Sequence, residues 1–416
     1  MGNYPLGSSS MKKILLLSVS AGAGHVRAAE AIRAYAALHP DGIQATHLDV
    51  LSLVPASFRK IYAELYIKLS NDCPLLWGYV YRTLLEGPPR TANRKFVRAI
   101  QQLNCHALLA EIKRQRPDAI ICTHYLPAEL ISRQIQKGGM TMPPVWLQVT
   151  DYDLRNRWIV PHMRGYFVAS EEMAWQARAR GIAADAVHVS GIPVMPAFSQ
   201  PHDRRDCAAQ FGLDPDRQTF LLMFGGAGLR GLDSLARRLL ALPGDFQLMV
   251  LSGRNRAMQE SLKKLALQHP GRLFVQSFTD QVERLMACTD LVITKPGGLT
   301  CAESLAMGLP MIAVARLPGL EERNADFLLE HGVALKARSI RSAAERVGAL
   351  LATPERLDAM RQNSAALGCP QAARCVLDHV LAQQPDSVPD TGTQTGRLMH
   401  NYVRGLTGHT AGAQPA

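Results

Sequence analysis

Ile14-Leu15-Leu16-Leu17-Ser18-Val19-Ser20-Ala21-Gly22-Ala23-Gly24-His25 opens the unit that decides the fold. Ile14–Ser20 is apolar without alternation, as a strand buried on both faces of a parallel sheet must be. The glycine-rich turn Ala21–His25 follows. Val26–Leu38 then carries alanines and apolar residues at helical spacing, and Gln44–Val50 reads as a second strand. Strand, turn, helix, strand is a βαβ unit. The alternation returns at Ala119–Cys122, Val145–Val149, Gly165–Ala169 and Val187–Ser190, with helical segments such as Ser170–Arg180 between strands. Ser199–Asp206 is polar and charged, and a new series starts beyond it. Thr219–Phe224 is its first strand, Gly225–Gly231 its glycine-rich turn and Leu232–Leu242 its first helix. Gln247–Ser252, Leu273–Gln276, Leu291–Thr294 and Met311–Val314 are further strands.

Two runs of βα units joined by one linker predict an α/β protein of two doubly wound, Rossmann-like domains facing each other across a cleft. The expected division is 11–198 for the N-terminal domain, 199–206 for the linker and 207–383 for the C-terminal domain. Residues 1–10 read as a leader or tag, with Met11 a candidate natural start, and 384–416 as a disordered tail.

The composition bounds the function. The chain has 416 residues, 47% hydrophobic and 19% charged, which is globular and needs more than one core. No run approaches the roughly 20 apolar residues of a membrane span. Lys12-Lys13 before Ile14–Leu17 mimics a signal peptide, but the apolar run is too short. The net charge of +11 calls for anionic company: nucleotide phosphates, nucleic acid or an anionic membrane face. The eight cysteines form no Cys-x-x-Cys pair, which argues for a reduced, cytoplasmic protein without a zinc site.

Ligands of such sheets bind at the carboxyl ends of strands, so the glycine turns matter most. Gly22 and Gly24 let backbone approach a ligand beside a helix N-terminus. A dinucleotide fingerprint is incomplete there, because Arg27 stands where a third glycine belongs, although Asp49 suits a ribose. His25 at the helix start is a candidate general base. Gly226, Gly228 and Gly231 spell a second partial fingerprint, better suited to diphosphate contact than to a dinucleotide. In Thr294-Lys295-Pro296-Gly297-Gly298-Leu299-Thr300-Cys301-Ala302-Glu303 a strand meets a helix. Gly297, Gly298 and Thr300 offer N–H groups and a hydroxyl to phosphate, and Glu303, expected on the first helical turn, offers a carboxylate to ribose hydroxyls. Leu317–Ala325 is another polar loop running into a helix. Lys295 or Arg254 would add a cation for a departing diphosphate.

These motifs, Gly22-Ala23-Gly24-His25, Thr294-Lys295-Pro296-Gly297-Gly298, Glu303 and Pro318-Gly319-Leu320-Glu321-Glu322-x-Asn324-Ala325, resemble those of the monogalactosyldiacylglycerol synthases and bacterial diacylglycerol glucosyltransferases of glycosyltransferase family 28. The resemblance covers about residues 12–380. It implies a GT-B fold and inverting transfer of a hexose from a UDP-sugar. The C-terminal half would hold the donor through Gly225, Gly226, Arg254, Phe278, Lys295, Gly297, Gly298, Leu299, Thr300, Glu303, Glu321, Glu322 and Asn324. Phe278 would lie near the uracil and Glu303 on the ribose. The N-terminal half would hold a lipid acceptor at Gly22, Gly24 and Tyr152, with His25 as base and Asp151 assisting it. Leu320 departs from the glutamine many relatives carry, which bears on sugar recognition. Asp151-Tyr152-Asp153 also spells D-x-D, a metal signature of the other large glycosyltransferase fold; the doubly wound pattern argues against that fold, so no cofactor and no obligatory metal are expected.

Pro55–Ile100 is unusual. Seven aromatics, among them Phe58, Tyr62, Tyr66 and Trp77, stand with eight cations, among them Arg82, Arg94 and Lys95, against three acids. Aromatics beside cations suit a segment lying on anionic lipid. No nucleic-acid module accompanies the charge. The expected protein is therefore peripheral on the inner membrane face and makes glycolipid from diacylglycerol or a glycosyldiacylglycerol. An N-acetylglucosamine transferase with another lipid-linked acceptor, or a nucleotide-sugar-binding protein without transfer, is the alternative.

Overall fold

A computed structural model describes residues 11–20, 22–53, 106–138, 141–224, 231–314 and 320–383. The aromatic and basic stretch Pro55–Ile100, the turn residues Gly225 and Gly226, and the segment 384–416 lie outside the described residues.

Two six-stranded, wholly parallel sheets form the cores of two lobes. In the front lobe β1 (Lys13–Ser18), β2 (Gln44–Asp49), β3 (Ala119–Cys122), β4 (Val145–Gln148), β5 (Gly165–Val168) and β6 (Val187–Val189) lie in the order 2-1-3-4-5-6. In the rear lobe β7 (Gln218–Met223), β8 (Phe246–Leu251), β9 (Leu273–Gln276), β10 (Leu291–Thr294), β11 (Met311–Val314) and β12 (Ala334–Ala337) lie in the order 12-11-10-7-8-9. The continuous apolar runs are the reason. Leu15, Leu16 and Leu17 are fully buried on β1, as are Leu221 and Leu222 on β7, because helices cover both faces of each sheet. The strand order reverses between β1 and β3 in front and between β7 and β10 behind. A crevice opens at such a switch point, at the carboxyl ends of its strands.

The helix after β1 starts earlier than its apolar spacing implies, at Ala23, which places His25 inside its first turn. β12 was not foreseen, since Ala334-Leu335-Lys336-Ala337 is short and carries a lysine. The polar stretch 199–206 already contains a helix start at Arg204, capped by the Asp203 carboxylate. The largest departure is the last helix, Ala372–Ala382. By sequence it falls in the rear half, yet Ala373, Val376, Leu377 and Val380 pack with Ile14, Leu16, Ile32, Ile121, Trp146 and Phe167 of the front lobe. The return is tight. A Cβ on Gly191, whose φ is +84°, would lie 2.4 Å from Cys369 Cβ. Among the described residues no helix is long and apolar enough to cross a membrane.

Candidate active site

The two switch points meet. The Leu299 Cβ at the tip of the rear helix Gly298–Ala306 would lie 3.6 Å from a Cβ on Gly24, at the start of the front helix Ala23–Leu38. One apolar cluster runs through both lobes there, with Val149 and Tyr152 from the front and Cys301, Leu305 and Phe327 from the rear.

His25 is held by two partners. Its Nδ1 lies 3.1 Å from the Thr123 carbonyl oxygen and 2.7 Å from Thr150 Oγ1. A carbonyl only accepts, so Nδ1 carries the hydrogen and Nε2 keeps its lone pair. The Thr123 hydroxyl in turn donates to the His25 carbonyl at 2.8 Å. Burial lowers the His25 pKa to about 4, the Thr123 carbonyl opposes that shift and the Arg155 charge adds to it. The ring is therefore neutral near neutral pH and can take a proton at Nε2. The expected assistant, Asp151, makes no hydrogen bond or ion pair with His25 among those resolved for the described residues. It sits one residue beyond Thr150, 3.7 Å from Arg155. Burial raises its pKa to about 6 against the pull of Arg155 and of Asn324.

His124 was not singled out in the sequence. It follows β3 directly, on the other side of the front switch point from His25. Its ring meets His25 edge-on, centroids 4.6 Å apart, and stacks on Tyr125 at 4.2 Å. Its Nδ1 accepts the Leu126 N–H at 3.1 Å and so caps the helix Tyr125–Lys137. That leaves the hydrogen on Nε2, the opposite tautomer to His25. Burial, then the neighbouring His25, Arg155 and Arg157, holds His124 well below the usual imidazole pKa. The signal for it was a histidine at a strand's carboxyl end, which alone does not separate a cap from a site residue.

On the rear side, Gly297 precedes the helix Gly298–Ala306 and no side chain caps it. The first amides of a helix have no partner within it, and with no side-chain cap at Gly297 the helix dipole favours an anion at this end. Gly298 has no space for a side chain: an added Cβ would lie 2.1 Å from the Thr150 carbonyl oxygen. Gly297 has open space around it. Thr300 keeps a partly exposed side chain, and Gly22 is exposed. Lys295 is ion-paired with Glu321 at 2.8 Å, so the two expected donor contacts hold each other. Glu322 pairs with Lys336 at 3.1 Å. Arg254 stacks over the Phe278 ring at 4.4 Å, and Phe278 is 56% exposed. The pair forms an open platform just past β8 and β9. Asp49 spends its Oδ1 on the N–H groups of Ser20 and Leu51, and so holds the turn around the first glycines. Asp153 is paired with Arg323 of the rear lobe at 2.8 Å. Tyr152, expected at the acceptor, stacks on Phe327 at 4.6 Å between the lobes.

Glu303 lies in the second turn of its helix, one turn further in than expected, and is only 7% exposed. Burial raises its pKa to about 7, Arg27 of the front helix draws it down, and Glu283 pushes it up. Its protonated form is the one the unliganded fold favours. The stability it lends is complete below about pH 4.5 and is lost as the pH rises through about 7. A ribose diol donates best to the ionised carboxylate. UDP affinity should therefore rise between pH 6 and pH 8, and Glu303→Gln should flatten that dependence. Calorimetry in buffers of different ionisation enthalpy checks this, and an unchanged pH slope in the variant would remove Glu303 from the donor site.

The chain is similar to known proteins over both lobes. Residues 25–194 match the family profile of monogalactosyldiacylglycerol (MGDG) synthase, and residues 221–374 match the glycosyltransferase family 28 C-terminal domain. The chain is 28% identical over 391 residues to a processive diacylglycerol beta-glucosyltransferase of Bacillus pumilus, covering 93% of this chain and 99% of that protein. It is 26% identical over 376 residues to the protein of the same description from Bacillus subtilis, covering 89% and 95%. Among solved structures, Acinetobacter baumannii MurG superposes with a TM-score of 0.59 at 18% identity, covering 89% of this chain and all of that one. The UDP complex of S. aureus MnaA superposes with a TM-score of 0.60 at 14% identity, covering 89% and 96%. The two profile matches take in both lobes and both halves of the junction, and with the paired doubly wound sheets they make the fold GT-B: the chain is a UDP-sugar glycosyltransferase whose front lobe matches the monogalactosyldiacylglycerol synthase profile and whose rear lobe is a glycosyltransferase family 28 C-terminal domain.

Proposed function

We propose that the protein transfers a hexose from a UDP-sugar to the hydroxyl of diacylglycerol or a glycosyldiacylglycerol, with inversion, at the inner face of the membrane. The observation that carries this reading is a neutral His25, its Nδ1 hydrogen fixed by Thr123, set across the lobe junction from an uncapped helix tip. An alcohol is a weak nucleophile near neutral pH. His25 Nε2 takes its proton as the oxygen bonds to the anomeric carbon, and the bond from that carbon to the diphosphate breaks with its electron pair leaving on UDP. The amides and dipole of helix Gly298–Ala306 stabilise the charge that develops on the diphosphate. The exposed Phe278 face with its Arg254 suits a uracil, and Glu303 a ribose. No metal is given a role in this sequence of events. Relatives described as diacylglycerol beta-glucosyltransferases support a lipid acceptor and put glucose first among the sugars. Pro55–Ile100, with its aromatics and surplus cations, is the proposed membrane contact.

The test is a panel of radiolabelled UDP-glucose, UDP-galactose and UDP-N-acetylglucosamine, each with diacylglycerol in mixed vesicles. Label in the chloroform phase from a UDP-hexose is the expected result, and the stereochemistry of the product reports inversion. Label from UDP-N-acetylglucosamine alone would move the chain to another acceptor class. UDP binding with no product from any donor would make it a binding protein. Sedimentation with the same vesicles should weaken as salt is raised.

A further inference from the structure

Asn324 is fully buried in the helix Leu320–Glu330 and bridges the lobes. Its Oδ1 accepts the Tyr152 N–H at 2.9 Å, and its Nδ2 donates to the Pro296 carbonyl at 3.1 Å. One end of the amide thus holds the front segment Thr150–Asp153, and the other holds the rear loop that leads to Gly298. The same helix grips that segment twice more. Phe327 stacks on Tyr152 with the rings 21° from parallel, and Arg323 pairs with Asp153 at 2.8 Å. Thr150, at the head of the segment, touches both halves of the chemistry. Its hydroxyl is 2.7 Å from His25 Nδ1, and its carbonyl fills the space beside Gly298.

We infer that Asn324 is a positioning residue for the transfer, acting as an interlobe clasp rather than as a donor contact: it sets Thr150, and through Thr150 the His25 ring, against the helix tip at Gly298. This rests on the transfer reading above. The resemblance puts Asn324 among donor-binding residues, yet its Oδ1 is engaged across the lobes by Tyr152 and its Nδ2 within the rear lobe by Pro296. Cutting the clasp removes the Asn324 bond to Pro296, but the rear loop keeps its own backbone bonds, Gly297 N–H to the Lys295 carbonyl and Cys301 N–H to the Gly297 carbonyl, so UDP still binds. It frees the front segment, and a displacement of about 1 Å at the reacting atoms costs on the order of 10²-fold in rate.

The experiment is Asn324→Ala beside the wild type, with kcat, donor KM, UDP affinity by calorimetry and small-angle scattering of the UDP complex. The expected result is a kcat lower by about 10²-fold, donor KM and UDP affinity near wild type, and a larger radius of gyration. Asn324→Asp keeps the acceptor for Tyr152 N–H but sets a second carboxyl against the Pro296 carbonyl and Asp151, and it should recover no kcat over alanine. Loss of UDP affinity in step with kcat would overturn the clasp and restore the donor role. A wild-type kcat with unchanged dimensions would also overturn it. If the wild type transfers no sugar, the transfer reading fails, and the scattering comparison still decides whether Asn324 closes the lobes. Should Asn324→Ala not fold, Arg323→Ala cuts the same clasp at its exposed edge. That variant should show a smaller loss confined to kcat, and wild-type kcat there would overturn the proposal.

Discussion

His25→Ala will lower the rate of sugar transfer by about 10²–10⁴-fold and leave UDP affinity as it is. The size follows from what the ring supplies. Without Nε2, the acceptor proton has no base, and water does not replace an imidazole whose tautomer is held by the Thr123 carbonyl and the Thr150 hydroxyl. The selectivity follows from position, because His25 belongs to the front helix and the uncapped amides to the rear one. His25→Gln tests shape against basicity: a polar side chain of similar length with no proton affinity should be as slow as alanine. At saturating donor the wild-type kcat should hold while the pH falls through 6.5 and drop only as it approaches about 4, where the ring charges. Full activity in His25→Ala would remove the base from this site altogether. So would loss of UDP affinity equal to the loss of rate.

The second large effect belongs to a missing atom. Gly298→Ala adds a Cβ that would meet the Thr150 carbonyl oxygen at 2.1 Å, its carbon at 3.0 Å and Asp151 Cα at 3.3 Å. All three are backbone atoms, so no side chain can rotate away, and the lobes must part. The helix itself gains slightly, since alanine is a better helix former by up to about 1 kcal/mol. The rear lobe should therefore stay folded while transfer falls by about 10²-fold through misplacement of the two halves. Gly297→Ala is the control. It adds the same atom one residue earlier, at φ −76°, into open space. Equal activity of the two variants would mean that the contact with Thr150 does not govern transfer.

Much of this architecture was legible because parallel strands covered on both faces must be continuously apolar. Ala119–Cys122, Leu273–Gln276, Leu291–Thr294 and Met311–Val314 are strands with the bounds read from the sequence. The first helix began earlier than its apolar spacing because Ala23, Gly24 and His25 form its opening turn, and a turn rich in glycine carries no helical period. The helix Ala372–Ala382 was counted by sequence with the rear half, and its place on the front lobe was not legible, since an apolar stripe does not name the sheet it covers. At the site, His25 was visible because it stands beside glycines at a strand end. His124 stands at the neighbouring strand end without glycines and was passed over. Thr150 was overlooked beside Asp151, whose charge drew the chemical role, although the hydroxyl and not the carboxylate is what reaches the imidazole. The resemblance puts Asn324 among the donor contacts, and only three-dimensional contacts show that its amide spans from Tyr152 to Pro296.

The return of the last helix makes the rear lobe an insertion within the front one. Synthesis on the ribosome then completes the rear lobe first, while the face of the front sheet with Ile14, Leu16 and Trp146 lacks part of its cover until residues 372–382 emerge. A chaperone meeting the nascent protein would find that apolar face, and a chain stopped short of Ala372 would keep it. Among the described residues the polypeptide passes between the lobes twice, once before Arg204 and once after Leu367. Two tethers resist twisting and sliding more than rotation about the line that joins them, so a hinge between the lobes would run through both.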